Sequence, residues 1–124
     1  MKGAASFDQH LINQLRKNVH FREAYLNEAL NEDDFGTSLL MFKNVADALG
    51  GVAKLSKVSG LNRQNLYRAF SGKRDPAYST VEGIVHGLGF KIRVEPIKKR
   101  GMYTQKKEDL KPVSLAKEKA KRYK

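Results

Sequence analysis

Residues 52–76 run VAKLSKVSGLNRQNLYRAFSGKRDP. Apolar residues recur at helical spacing on both sides of Gly60, so the stretch predicts two short helices joined by a tight turn. Ser56 stands four residues before Gly60, and Leu66 six after it. Two helices that cross steeply over a short turn need a small side chain at the crossing, which Ser56 supplies. The turn residue must reach positive φ, which glycine does at little cost. Leu66 then plugs the core that the two helices share.

The rest of the composition bounds what such a pair can serve. The chain has 124 residues, with 40% apolar and 30% charged positions. That suits one modest domain with polar margins, as does a mean hydropathy of -0.58. It has no cysteine, which removes disulfides, thiolate zinc sites and Cys nucleophiles and fits a reducing, cytoplasmic setting. No apolar run approaches the ~20 residues of a membrane span. The first ten residues, MKGAASFDQH, lack the apolar core of a secretory signal. Net charge is +11 and unevenly spread: −2 over residues 1–50, +5 over 51–97 and +8 over 98–124. The basic middle and tail point to a polyanionic partner.

Taken in order, residues 6–18 predict a first helix. Ser6 and Gln9 form a capping box, and Phe7, Leu11 and Leu15 an apolar stripe. Residues 19–32 predict a second, with Phe21, Tyr25 and Ala29 on one face beside Leu26 and Leu30. Asp33 or Asp34 is placed to cap a third over 35–49, whose inward side is Leu39, Phe42, Val45, Ala46 and Leu49. After the two-helix stretch, Ser79 or Thr80 is expected to cap a helix that buries Val81, Ile84, Val85 and Leu88 and stops at Gly89. Residues 90–97 then alternate, with Phe90, Ile92 and Val94 against Lys91, Arg93 and Glu95, which is the period of a strand. A lone strand needs a partner, either its own copy or another protein; otherwise it is an extended tail packed on helices. Residues 98–124 are dominated by charge, with Pro112 breaking any helix and 114–122 able to form one transiently; we expect a largely disordered basic tail.

No catalytic constellation emerges. His10, His20 and His86 fall on three different expected helices, without metal-ligand spacing to one another or to a carboxylate. Glu32, Asp33 and Asp34 are explained by a helix start. Gly50 and Gly51 lie between helices, where a phosphate loop does not belong. We expect no enzyme, no metal and no cofactor.

The 52–76 stretch instead fits a helix-turn-helix, whose second helix enters the major groove with its early residues facing base edges. Arg pairs with guanine and Gln or Asn with adenine through two hydrogen bonds. On helical spacing, Arg63, Gln64, Tyr67 and Arg68 are the expected base readers. Lys54, Lys57, Asn62, Asn65, Lys73, Arg74, Ser79 and Thr80 are the expected phosphate contacts, the last two because a helix start attracts anions.

Two resemblances extend this. Residues 55–90 resemble the phage-repressor (Cro/C1) type of helix-turn-helix, including the GKRDP loop at 72–76 and the Leu88-Gly89 ending. Val52 departs from the Gln common at that position, and Ser56 from the common Ala. Over residues 7–94, the strings YLNEAL (25–30), LLMFKNVADALGGVAKLSKVSGLNRQNLYRAFSG and DPAYSTVEGIVHGLGFKIRV resemble the addiction-module antidote proteins, HigA-like antitoxins with a repressor-type DNA-binding domain. The resemblance implies a protein that covers a small RelE-superfamily ribonuclease toxin and represses its own operon, as a homodimer on double-stranded operator DNA. The same residues leave open a stand-alone regulator without a toxin, or a basic RNA-binding protein.

The expected architecture is therefore all-α: an N-terminal helical extension over 1–32, a repressor-like five-helix domain with one short C-terminal strand over 33–97, and a basic tail over 98–124. Toxin contacts are expected on the N-terminal helices, around residues 7–30.

Overall fold

The structure is a computed structural model. It describes residues 2–97, Met102, residues 106–110, Pro112 and Val113, without the side chains of residues 2–8, 108 and 109. Its α-helices are α1 (Lys2–Lys17), α2 (Val19–Leu30), α3 (Phe35–Ala48), α4 (Val52–Ser59), α5 (Arg63–Phe70) and α6 (Tyr78–Gly87), with a short 3-10 helix at Lys107–Leu110. The chain divides into two units, Met1–Ile92 and Arg93–Lys124.

The all-helical expectation holds, and the strand does not. Among the described residues there is no strand, and residues 90–97 carry no ladder. The alternation is real, but a strand exists only through a neighbouring strand, and no other described segment of this chain pairs with these residues. Four helices, not five, fall within residues 33–97. The count falls short because α1 and α2, which also pack on α3, lie before residue 33.

Within the first unit, α3 is the hub: α1, α2, α4 and α5 all pack against it. It supplies Leu39, Phe42, Val45, Ala46 and Ala48 to a core completed by Leu15, Leu26, Ala29, Val52, Leu55, Leu66, Ala69, Ile84, Val85 and Leu88. Ala48 joins the expected inward side, while Leu49 is only partly buried. In α2 the buried residues are Leu26 and Ala29, with Tyr25 half-buried and Phe21 exposed. The inward face is thus turned from the expected one toward Leu26, and the half-buried Tyr25 accepts from Asn44 Nδ2 at 3.0 Å through its hydroxyl.

Local hydrogen bonds fix where helices begin and end. Asn18 caps α2 by accepting from Phe21 N. Arg22 reaches back over that junction, and its Nη1 donates to the Leu15 and Arg16 carbonyls at 3.0 Å each. These belong to the last turn of α1, where carbonyls lack helical donors and a cation is favoured. Ser6 lies inside α1 rather than at its start, which removes the expected cap there; the side chains of Ser6 and Phe7 lie outside the described residues, as does most of the 98–124 tail, including residues 114–122. Asp34, rather than Asp33, caps α3, accepting from Thr37 N at 2.9 Å and Thr37 Oγ1 at 2.7 Å. The Thr37 hydroxyl and then its backbone N–H hold the exposed Asp34 carboxyl below its ordinary value of 3.8. For α6 the cap is Ala77, not Ser79 or Thr80. Thr80 N and Val81 N both bond to the Ala77 carbonyl, at 3.0 and 3.2 Å, so the first turn closes earlier than a cap at Ser79 or Thr80 would allow.

Helix α6 lies against α4 and the turn after it because two glycines permit the approach. A Cβ at Gly87 would sit 2.6 Å from Leu55 Cδ1 and 3.0 Å from Ser59 Cβ; one at Gly83 would meet Leu61 Cδ1 at 2.9 Å. The Leu61 tip can swing aside, whereas the Ser59 Cβ is tied to its backbone. Gly83→Ala is therefore expected to be near neutral, strain being offset by the ~1 kcal/mol helix preference of Ala. Gly87→Ala is expected to lower stability by about 1–3 kcal/mol in urea unfolding. A second prediction concerns pH. A lowered folded pKa means that the Asp34 carboxylate contributes stability above its ordinary range and loses it as pH falls through the folded value. Asn at position 34 keeps a cap acceptor without titrating, so any advantage of wild type over Asp34→Asn in melting temperature should shrink from pH 7 to about pH 3.

Candidate nucleic-acid interface

The site is built on the turn between α4 and α5. Gly60 ends α4 at φ 76°, the left-handed region, with its N–H donating to the Ser56 carbonyl at 3.0 Å. The Ser56 hydroxyl donates to the Leu61 carbonyl at 2.6 Å, and Leu61 N donates to Ser59 Oγ at 3.1 Å. Ser56 is therefore more than a small residue at a crossing: it ties the first helix to the turn. Asn62 then starts α5, its side-chain oxygen accepting from Gln64 N at 2.7 Å and Asn65 N at 3.3 Å.

Helix α5 spans eight residues and is two-sided. Leu66 is fully buried and Ala69 nearly so, while Arg63, Gln64, Asn65, Tyr67 and Arg68 are exposed. At about 3.6 residues per turn, Gln64 and Arg68 stand opposite the Leu66–Ala69 side, with Tyr67 beside them. Arg63 and Asn65 lie on the two flanks. Half of the Tyr67 surface, 55%, is open to solvent.

Charge gathers on the same stretch of chain. Residues 52–76 hold six Lys and Arg against one acid, Asp75. The described ion pairs are His20 with Glu23 and Lys43 with Asp47, so Lys54, Lys57, Arg63, Arg68, Lys73 and Arg74 have no carboxylate partner among the described residues. All six are exposed. Exposed cations without internal partners remain available to an external anion.

The helix starts differ in a way that matters to anions. Side chains cap α2, α3 and α5, but no side chain caps α4, which begins at Gly51, or α6, which begins at Ala77. An uncapped start leaves backbone N–H groups to water or to an anion. Ser79 and Thr80 lie in the first turn of α6, exposed and half-buried respectively.

The expected phosphate contacts are not one cluster. Asn62 is engaged as the α5 cap. Asn65 Oδ1 accepts from Arg68 Nη1 at 3.3 Å. Lys54 lies across the turn before α4, since a Cβ at Gly50 would fall 2.5 Å from its Cδ. It also borders an open apolar groove of about 260 Å³, lined by Leu49, Leu55, Val58 and Leu88 among others. Sequence reasoning does not pick out Ser71, whose hydroxyl donates to the Arg68 carbonyl at 2.7 Å and accepts from Lys73 N at 3.4 Å. Its signal is spacing alone: 62, 65, 68 and 71 fall three apart.

Among the described residues, no group of His, Asp or Glu is arranged to hold a metal, and no helix is long and apolar enough to cross a membrane. The groove beside Lys54 contains no acid or histidine.

Comparison with known proteins places the chain. A protein of Haemophilus influenzae described as uncharacterized is 30% identical over 73 residues, covering 59% of this chain and 74% of that protein. No solved structure matches. The model of the family described as "Probable addiction module antidote protein" matches residues 5–96. That match spans all six α-helices but the first residues of α1, and the chain belongs to this family of addiction module antidotes.

Proposed function

We propose that the protein is the antitoxin of a type II toxin–antitoxin module. It binds and neutralises a small RelE-superfamily ribonuclease and represses its own operon by sequence-specific binding to double-stranded DNA. It acts as a cytoplasmic homodimer, without catalysis or cofactor. The observation that carries this reading is the antidote-family match over residues 5–96, which includes both the N-terminal helices and the α4–α5 pair.

The surface of α5 supports the DNA arm. In this reading α4 and α5 form a helix-turn-helix of the Cro/C1 type, and the 33–97 segment is the DNA-binding part. Arg63, Gln64, Tyr67 and Arg68 face the base edges. Lys54, Lys57, Lys73, Arg74 and the uncapped starts of α4 and α6, with Ser79 and Thr80, meet phosphates. A two-fold dimer then reads a palindromic site with half-sites ~34–36 Å apart or a multiple of that. The basic residues of 98–124 add sequence-independent attraction.

The N-terminal helices of residues 1–32 serve the toxin arm. On α2, Val19 and Phe21 are exposed, and Phe21 stacks on Tyr25 with ring centroids 6.3 Å apart. Aromatic side chains of this kind anchor protein interfaces.

Each arm has its own assay. Co-expressed with the product of the adjacent reading frame, the tagged protein should retain that product on an affinity column and suppress its RNA cleavage; a neighbouring product that neither binds nor is inhibited would contradict the toxin arm. On duplex DNA from upstream of its own gene, Arg63→Ala with Gln64→Ala should abolish specific binding. Removal of residues 98–124 should weaken binding evenly across sequences and flatten the salt slope by up to ~0.9 per lost phosphate contact. The toxin and DNA assays are read separately, so either arm can fail alone.

A further inference from the structure

The exposed flank of α5 carries a run of side-chain hydrogen bonds spaced by three residues. Asn62 Oδ1 accepts from Asn65 N at 3.3 Å. Asn65 Oδ1 accepts from Arg68 Nη1, also at 3.3 Å. Ser71 Oγ donates to the Arg68 carbonyl at 2.7 Å, and Lys73 N donates to Ser71 Oγ at 3.4 Å. Arg68 is thus held at both ends, its guanidinium by Asn65 and its backbone by Ser71.

We propose that Asn65 is a positioning residue for base recognition: it aims the Arg68 guanidinium at a guanine and does not itself hold a phosphate. This rests on the DNA reading above and assigns roles within it. The chemistry comes from the guanidinium. It is a planar fork of five N–H donors and no acceptors. One donor on Asn65 leaves the opposite edge of the fork for the O6 and N7 of guanine, the two acceptors that edge matches. A free Arg side chain spreads over many rotamers, and restraint before binding reduces the ordering cost on the DNA. Asn65 can impose that restraint because its own backbone N–H is fixed by the Asn62 cap. Its position fits the role too. Arg68 faces away from the Leu66–Ala69 side, and Asn65 stands on the flank one turn before it, nearer the start of the helix, within reach at i, i+3.

The two roles for Asn65 predict different measurements. Full-length protein is used to select binding sites from a random-sequence duplex library, and affinities for selected duplexes are measured across salt concentrations. We expect wild type to select a motif in which Arg68→Ala removes preference for one guanine. Asn65→Ala should weaken preference at that same base pair by about fivefold or more, leave the other positions intact and leave the salt slope unchanged. Added to Arg68→Ala, it should change that preference no further. Asn65→Lys, which supplies a cationic phosphate partner but no acceptor for Arg68, should still lose the guanine preference while binding all sequences more tightly. It also serves if the Ala variant unfolds.

The proposal is overturned if Asn65→Ala weakens all sequences equally, or if it leaves the guanine preference intact. In both cases a wild-type motif would keep the DNA reading standing. A wild type that selects no motif overturns both.

Discussion

The hydroxyl of Ser56, bonded to the Leu61 carbonyl at 2.6 Å, anchors the turn that sets the direction of α5 and of its exposed side. A turn of three residues between two short helices has few ways to satisfy its backbone groups. Here Gly60 bends the chain at positive φ, Ser56 and Ser59 hold the carbonyl and the N–H of Leu61, and Asn62 caps α5. With these bonds in place, α5 leaves the turn in one direction, and its Leu66 enters the core fully buried. The opposite side of so short a helix is then presented as a rigid polar surface. An eight-residue helix would not persist alone in water, so that surface exists because the turn and the core below it fix the helix in place.

The same arrangement explains why the remaining helices are where they are. Helix α3 touches four of the others and contributes the largest share of buried side chains, so the α4–α5 pair and the N-terminal helices rest on one support. Helix α6 closes against α4 at Gly87, where a Cβ would crowd Leu55 and Ser59, while at Gly83 it meets only the movable tip of Leu61. On the far side, α1 and α2 are joined by Arg22 folded back onto the end of α1. The exposed Phe21 and the exposed cations around α5 thus belong to different helices of one packed unit.

Much of this is legible in the residues. Gly60 and Leu66 announce themselves, because only certain residues tolerate a left-handed turn or a fully apolar site. The inward sides of α3 and α6 emerge from spacing. The illegible parts depend on partners rather than on the local string. Residues 90–97 have the alternation of a strand, but pairing is a property of two segments and no second one is present among the described residues. Ser79 and Thr80 have the chemistry of caps, yet the cap is whichever residue stands just outside the helix, and here that is Ala77 at φ -64° and ψ 150°. The face of α2 misleads because Phe21 is large and apolar, while Leu26 and Ala29 are the residues that turn inward. Composition alone does not reveal that the Asn65 Oδ1 meets Arg68 Nη1.

On the proposed reading, the polar side of α5 is the surface that meets DNA. Backbone amide shifts of the 15N-labelled full-length protein, titrated with duplex from upstream of its own gene, test this most directly. The largest changes should fall on Asn62 through Arg68 and on the first turns of α4 and α6, with α1 and α2 unchanged. Changes concentrated on α1 and α2, or spread evenly over the exposed lysines and arginines, would contradict it.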